Sequence, residues 1–181
     1  MKKLLIVTGI VLTACLGKLN AQAIHTSITF EIKNVDITTG GSIGGLETKV
    51  HFNPSNLNTS TLEASVDVNT INTGNSSRDE HLRSDDFFDV AHFNKISLRS
   101  VSFKHKSGDN YTGRFILTIK GRSKQVDIPF TFLDKDNTVT FKGTFKLDRL
   151  DFGVGGKSMI LSDEVIVHID CEEKKQELTR L

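Results

Sequence analysis

The chain has 181 residues, with 23 Lys and Arg against 22 Asp and Glu, a formal charge of +1. That balance excludes an electrostatic grip on nucleic acid, so no nucleic-acid partner is expected. The length suits one domain with a sizeable core, and no composition shift marks a second.

The N-terminus reads as an export signal. Met1-Lys2-Lys3 is basic, Leu4 to Leu12 is apolar apart from Thr8 and Gly9, and Ala21-Gln22-Ala23 is a small-x-small cleavage site. The expectation is a signal peptide over 1–23, an exported domain over 24–181, and a periplasmic or secreted protein. The apolar run is too short for a bilayer helix, which needs about 20 residues. Leu12-Thr13-Ala14-Cys15 also fits a bacterial lipobox, so acylation at Cys15 and a lipid-anchored form compete with the soluble one.

Removing residues 1–23 leaves 158, with 20 basic side chains against 22 acidic. Only Cys171 then remains, which excludes an intramolecular disulfide. It reads as a small apolar side chain rather than a nucleophile, since no activating neighbour is evident. Outside the cytoplasm nucleotide cofactors are scarce, and no cofactor is expected.

From Ile28 almost to the C-terminus apolar and polar residues alternate, the period of a half-buried strand. The runs are Ile28-Phe30-Ile32, Leu46-Val50-Phe52 around Thr48, Leu62-Ala64-Val66-Val68, and Ile96-Leu98. The last slips phase at Ser100-Val101 before Phe103 and His105, the mark of a β-bulge. Then come Tyr111 to Ile119, Val126 to Phe132, Val139 to Leu147, and Val165 to Cys171. Gly40-Gly41, Asn53-Pro54, Gly108 to Asn110, Gly121 and Asp134 to Asn137 are turn signals. Glu172 to Leu181 reads as a charged, fraying tail.

One stretch, Asn75 to Asp89, lacks alternation. Ser77 and Glu80 form a capping box for a short helix starting near Arg78. Leu82, Phe87 and Phe88 would press it onto the body. The fold class that follows is all-β: an eight-stranded antiparallel barrel with a short helix between strands 3 and 4. Closure hides the apolar face without exposed edges, with a sandwich as the alternative.

Three ordered sets carry a resemblance. They are Asn72-Thr73 with Arg78-Asp79-x-His81-Leu82 and Asp86-Phe87-Phe88-Asp89; Gly113-x-Phe115-x-Leu117-Thr118-Ile119-x-Gly121; and Arg149-x-Asp151-Phe152-Gly153-Val154-Gly155. Over roughly Thr26 to Cys171 the chain resembles the YceI-like family of secreted lipid- or polyisoprenoid-binding proteins. Two loop positions depart from the family pattern: Asn94 after Phe93, where proline is common, and Ser123 after Gly121-Arg122, in place of threonine. The resemblance implies a lipocalin-like barrel, an elongated apolar cavity for an isoprenoid chain, and no established catalysis.

On the inward phases lie Phe30, Val66, Phe103, Phe115, Leu117, Ile128, Phe130, Phe141 and Phe145, which either line a cavity or fill the barrel. Gly113 and Gly143 leave room for a ligand or mark bends. Arg78, Asp79 and His81 either meet a head group at a polar rim or pin the helix to the body. The leading function is a carrier of an isoprenoid lipid of quinone or polyprenyl phosphate type, with transient membrane contact. The alternatives are a lipid hydrolase or isomerase using His81 and Asp79, and a ligand-free structural or stress-related interaction protein. The histidines show no metal-site spacing, and no metal is expected.

The export reading makes a direct prediction. Intact-mass and N-terminal peptide analysis of protein recovered from its host will show a chain beginning at Ile24. A chain beginning at an acylated Cys15 would establish the anchored form, and one retaining Met1 would refute export.

Overall fold

The computed structural model describes residues 23–175. Of the proposed signal segment 1–23, all but Ala23 lies outside them, Cys15 included. The elements are β1 (Ala23–Asn34), β2 (Ile37–Ser42), β3 (Glu47–His51), β4 (Thr61–Asp67), α1 (Ser76–Arg83), β5 (Lys95–Ser107), β6 (Asn110–Ile119), β7 (Arg122–Lys135), β8 (Thr138–Asp148) and β9 (Leu161–Lys174). All strands belong to one antiparallel sheet, in the order β2-β1-β9-β8-β7-β6-β5-β4-β3. The sheet curls into a lipocalin-like, barrel-type fold.

Alternation explains why these segments are strands. Along β6 every second residue, Tyr111 to Ile119, is buried. The residues between them face outward, and Arg114 donates two bonds to Asp127 of β7 at 2.8 and 3.0 Å; the outer face of β8 likewise sends Lys142 to Asp170 of β9 at 2.7 Å. The expected bulge is present. Register shifts between Ser100 and Ser102, leaving Val101 exposed and returning Phe103 to the inside. Ser100 Oγ accepts the Leu62 amide at 2.8 Å beside the break. Lys120 and Gly121 close the β6–β7 hairpin with φ of 48° and 70°. Two consecutive left-handed residues make the turn whose twist matches the strands it joins.

Four expectations need correction. The described residues form nine strands, not eight, because the Gly40-Gly41 signal lies within β2 rather than in a turn. The turn is Val35-Asp36, with Asn34 paired to Ile37. Gly41 is there for clearance: a Cβ at this position would come within 2.5 Å of the Phe30 ring. Second, the sheet is not closed by a continuous ladder. No pairing joins β2 to β3, or β3 to β9, and the seam is bridged locally. Ser42 exchanges backbone bonds with Asn72 at 2.8 and 3.0 Å, and the Thr48 hydroxyl donates to the Glu173 carboxylate.

Third, the helix is capped by Asn75, whose side chain accepts the Arg78 amide at 3.0 Å, and not by Ser77. Asparagine in extended backbone one residue before the first turn satisfies the orphan amide directly. Fourth, the tail begins later than expected. Glu172 to Lys174 continue β9, and the Lys175 amide donates to Asn137 O at 2.9 Å.

Each end of the curled sheet is packed differently. At the end of the 108–109 and 136–137 turns, Phe52 sits among Phe103, Tyr111, Phe130, Phe132 and Phe141, with ring centroids 4.7–5.8 Å away. At the other end the segment after β8 and the start of β9 gather around Arg149, whose side chain is almost wholly buried. It donates to Ser162 O, Val154 O, Gly156 O and Asp163 Oδ1, all at 2.9 Å. The Gly155 amide then donates to Asp86 O at 3.0 Å, tying this segment to the loop after α1.

Replacing Arg149 leaves three carbonyls unanswered in a closed site. Arg149→Met is expected to lower unfolding stability by roughly 3 kcal/mol or more, read from urea denaturation. A change below about 0.5 kcal/mol would show that the network contributes little.

Candidate functional site

Between the two packed ends the sheet curls around a half-open cavity of about 150 Å³. Its wall is drawn from β1 and β3 through β9 and is almost entirely hydrocarbon. The inward phase of each strand supplies it, which is why residues distant in sequence meet there. On this volume scale one water needs about 10–15 Å³, so the space is large for a domain interior, which is normally close-packed.

Seven of the nine lining candidates border this space: Val66, Phe115, Leu117, Ile128, Phe130, Phe141 and Phe145. Two do not. Phe103 is buried in the aromatic end, 5.8 Å from Phe115 and 6.1 Å from Phe130. Phe30 packs with Ile43, Val66 and Ile71 near the β2 edge. Gly143 borders the cavity, whereas the Phe115 ring lies over Gly113 and takes the space a side chain there would use.

The sequence reading passed over several wall residues, including Ile28, Ala64 and Leu98, which lie on phases it had recognised. Polar side chains also border the cavity: Thr48, Ser65, Ser97, Lys142, Cys171 and Glu173. Glu173 is 3% exposed, on the same face of β9 as Cys171. Extending the Val165-Val167-Ile169-Cys171 alternation by one step would have placed it inside. Burial, then the nearby Glu173 charge, pushes the Cys171 thiol up to about 11. A thiol kept protonated is a weak donor and a poor nucleophile.

The three rim candidates lie apart from the cavity wall, Arg78 and Asp79 against the chain that leads into α1 and His81 against the loop that follows it. Asp79 is buried and accepts the Thr73 amide at 2.9 Å and the Thr73 hydroxyl at 2.5 Å. Arg78 donates through Nε to Thr73 Oγ1 and through a terminal nitrogen to Thr73 O, both at 2.8 Å. His81 stands edge-on to Phe87, with Nε2 3.7 Å from Asp86 and most of its side chain in solvent. Asp79 and His81 therefore engage different partners, and no acid–base dyad exists between them. Among the described residues no three His, Cys, Asp or Glu side chains converge on a metal position.

A curled antiparallel sheet around an apolar void is a lipocalin-like, barrel-type architecture. The chain belongs to the YceI-like family, whose domain matches residues 19–173. A UPF0312 protein of Vibrio parahaemolyticus is 26% identical, over 96% of this chain and all of the relative. A UPF0312 protein of Staphylococcus aureus is 32% identical over 62% of this chain and 64% of its own length.

Among solved structures, Burkholderia cenocepacia BcnA superposes with a TM-score of 0.78 at 23% identity, covering 81% of this chain and 95% of that one. A polyisoprenoid binding domain from Saccharophagus degradans superposes with a TM-score of 0.70 at 12% identity, covering 87% and 98%. At these identities the likeness is one of fold.

The Asp79 contacts predict an acid response. The Thr73 hydroxyl first, then the Thr73 amide and the nearby Arg83 and Arg78, hold its carboxyl below the usual carboxylate range. A depressed carboxyl stabilises the fold above its unfolded value of about 3.9 and loses that contribution as pH falls through the folded value. Asp79→Asn is therefore expected to be less stable than the wild type at pH 7, with the difference shrinking below about pH 4. Thermal melts at both pH values check it; a difference that is constant with pH would refute the assignment.

Proposed function

We propose that this is an exported carrier that holds an isoprenoid chain in the apolar cavity of its curled sheet. The single observation that carries the reading is the void itself, bounded by Val66, Phe115, Leu117, Ile128 and Phe145 and left unfilled by them. Transferring hydrocarbon from water into such a space gains about 0.8 kcal/mol per CH₂, or about 4 kcal/mol for each five-carbon unit. Branched, unsaturated units suit walls built of aromatic and branched aliphatic side chains. Family membership and the likeness to a polyisoprenoid binding domain support the same ligand class. The basic start, apolar run and Ala21-Gln22-Ala23 site support work outside the cytoplasm.

The carrier meets the membrane through one end of the sheet. Val35, Ile37, Met159 and Ile160 are all exposed there. The Val35 amide donates to Ile160 O at 2.8 Å, so the hairpin tip and the loop before β9 form one patch. Exposed apolar side chains gathered in one place mark contact surfaces more often than scattered ones do.

The test offers a labelled polyprenyl probe in phospholipid vesicles to the delipidated protein. The wild type is expected to extract it, and solvent extraction of protein from the native host is expected to release an isoprenoid. Ala64→Phe, which fills the cavity, is expected to reduce uptake at least tenfold at an overpacking cost of about 1–3 kcal/mol. Ile37→Asp with Ile160→Asp is expected to slow extraction from vesicles while leaving uptake from detergent unchanged. No uptake by the wild type, with no lipid in the native extract, would refute the carrier reading.

A further inference from the structure

We propose that Glu173, together with Thr48, anchors the polar end of an uncharged, hydroxyl-bearing isoprenoid inside the cavity and disfavours phosphate-bearing ones. The inference rests on the carrier reading and deepens it by naming the head-group class.

Glu173 is an ionisable side chain buried in a wall that is otherwise almost wholly hydrocarbon. Its Oε1 accepts the Thr48 hydroxyl from across the seam, and the Cys171 sulfur lies 3.8 Å from the same oxygen. Its Oε2 accepts no hydrogen bond from the described residues and is not among their fully enclosed, unpartnered atoms. A buried carboxyl with one oxygen unused carries a desolvation cost that a donor from a ligand would relieve. An O–H at the end of an isoprenoid is such a donor, and it enters without bringing a charge into a low-dielectric space.

A phosphate meets the opposite situation. It needs cations or clustered N–H donors to leave water. Among the described residues Lys142 is the one basic side chain bordering the cavity, and its ammonium is turned to Asp170 at 2.7 Å. Thr48, already bonded to Glu173, and a thiol held protonated supply no positive charge. The carboxyl adds an acceptor where the phosphate would require donors.

The experiment measures equilibrium binding of three probes of equal chain length to the purified, delipidated protein: a polyprenol, its monophosphate and the parent hydrocarbon. The wild type is expected to bind the alcohol at least tenfold tighter than the phosphate and several-fold tighter than the hydrocarbon. Glu173→Leu is expected to erase the preference for the alcohol over the hydrocarbon while retaining the hydrocarbon. Should Glu173→Leu not fold, as circular dichroism will show, the wild-type ratios decide alone. A wild type that binds the phosphate as tightly as the alcohol would overturn the anchor, as would a Glu173→Leu variant that keeps the alcohol preference. Hydrocarbon binding in those cases leaves the carrier reading standing. Failure to bind any of the three would remove both.

Discussion

A sheet that curls on itself must send every second side chain inward, and the interior it encloses grows with the number of strands. Eight of the nine strands among the described residues enclose more space than their inward side chains occupy. The proposed carrier function follows from that mismatch. A packed interior of the same residues would be a stable domain with nothing to hold. The mismatch survives because the curled wall is braced at both ends, one by clustered aromatic rings packed mostly edge to face and the other by a buried arginine.

Those ends account for the motif-like stretches of the chain. Arg78 and Asp79 clasp Thr73, and Arg149 gathers three carbonyls and one carboxylate. Asp86 and Gly155 then join the two stretches. Charged residues at regular spacings suggest chemistry, but here they perform architecture. They tie long connections down over one end of the sheet, where backbone groups would otherwise lie buried without partners. The apolar wall, by contrast, leaves no compact motif, because its members are scattered one per pleat over eight strands.

Much of the fold was legible because alternation is a strong signal. The strands from Ile28 onward, the bulge at Val101 and the turn at Gly121 appear where the pattern puts them. β2 escaped because Gly40-Gly41 signals a turn, while its real reason, the Phe30 ring lying against Gly41, is a tertiary contact no local pattern reports. The cavity wall was legible as a phase. Which aromatic groups face a void and which fill one end, as with Phe115 against Phe103, depends on packing across the sheet. Glu173 was hidden by composition: the run Glu172 to Lys175 looks solvated until its first residues are seen paired in β9.

The central claim is that the middle of this sheet is empty, apolar and reachable. Xenon, which enters dry apolar cavities and shuns filled or water-lined ones, tests it most directly. Crystals of the delipidated protein held under xenon pressure are predicted to show ordered xenon against Leu46, Ala64, Leu98 and Phe145. Density there belonging to rearranged Phe side chains, with no xenon, would contradict the account.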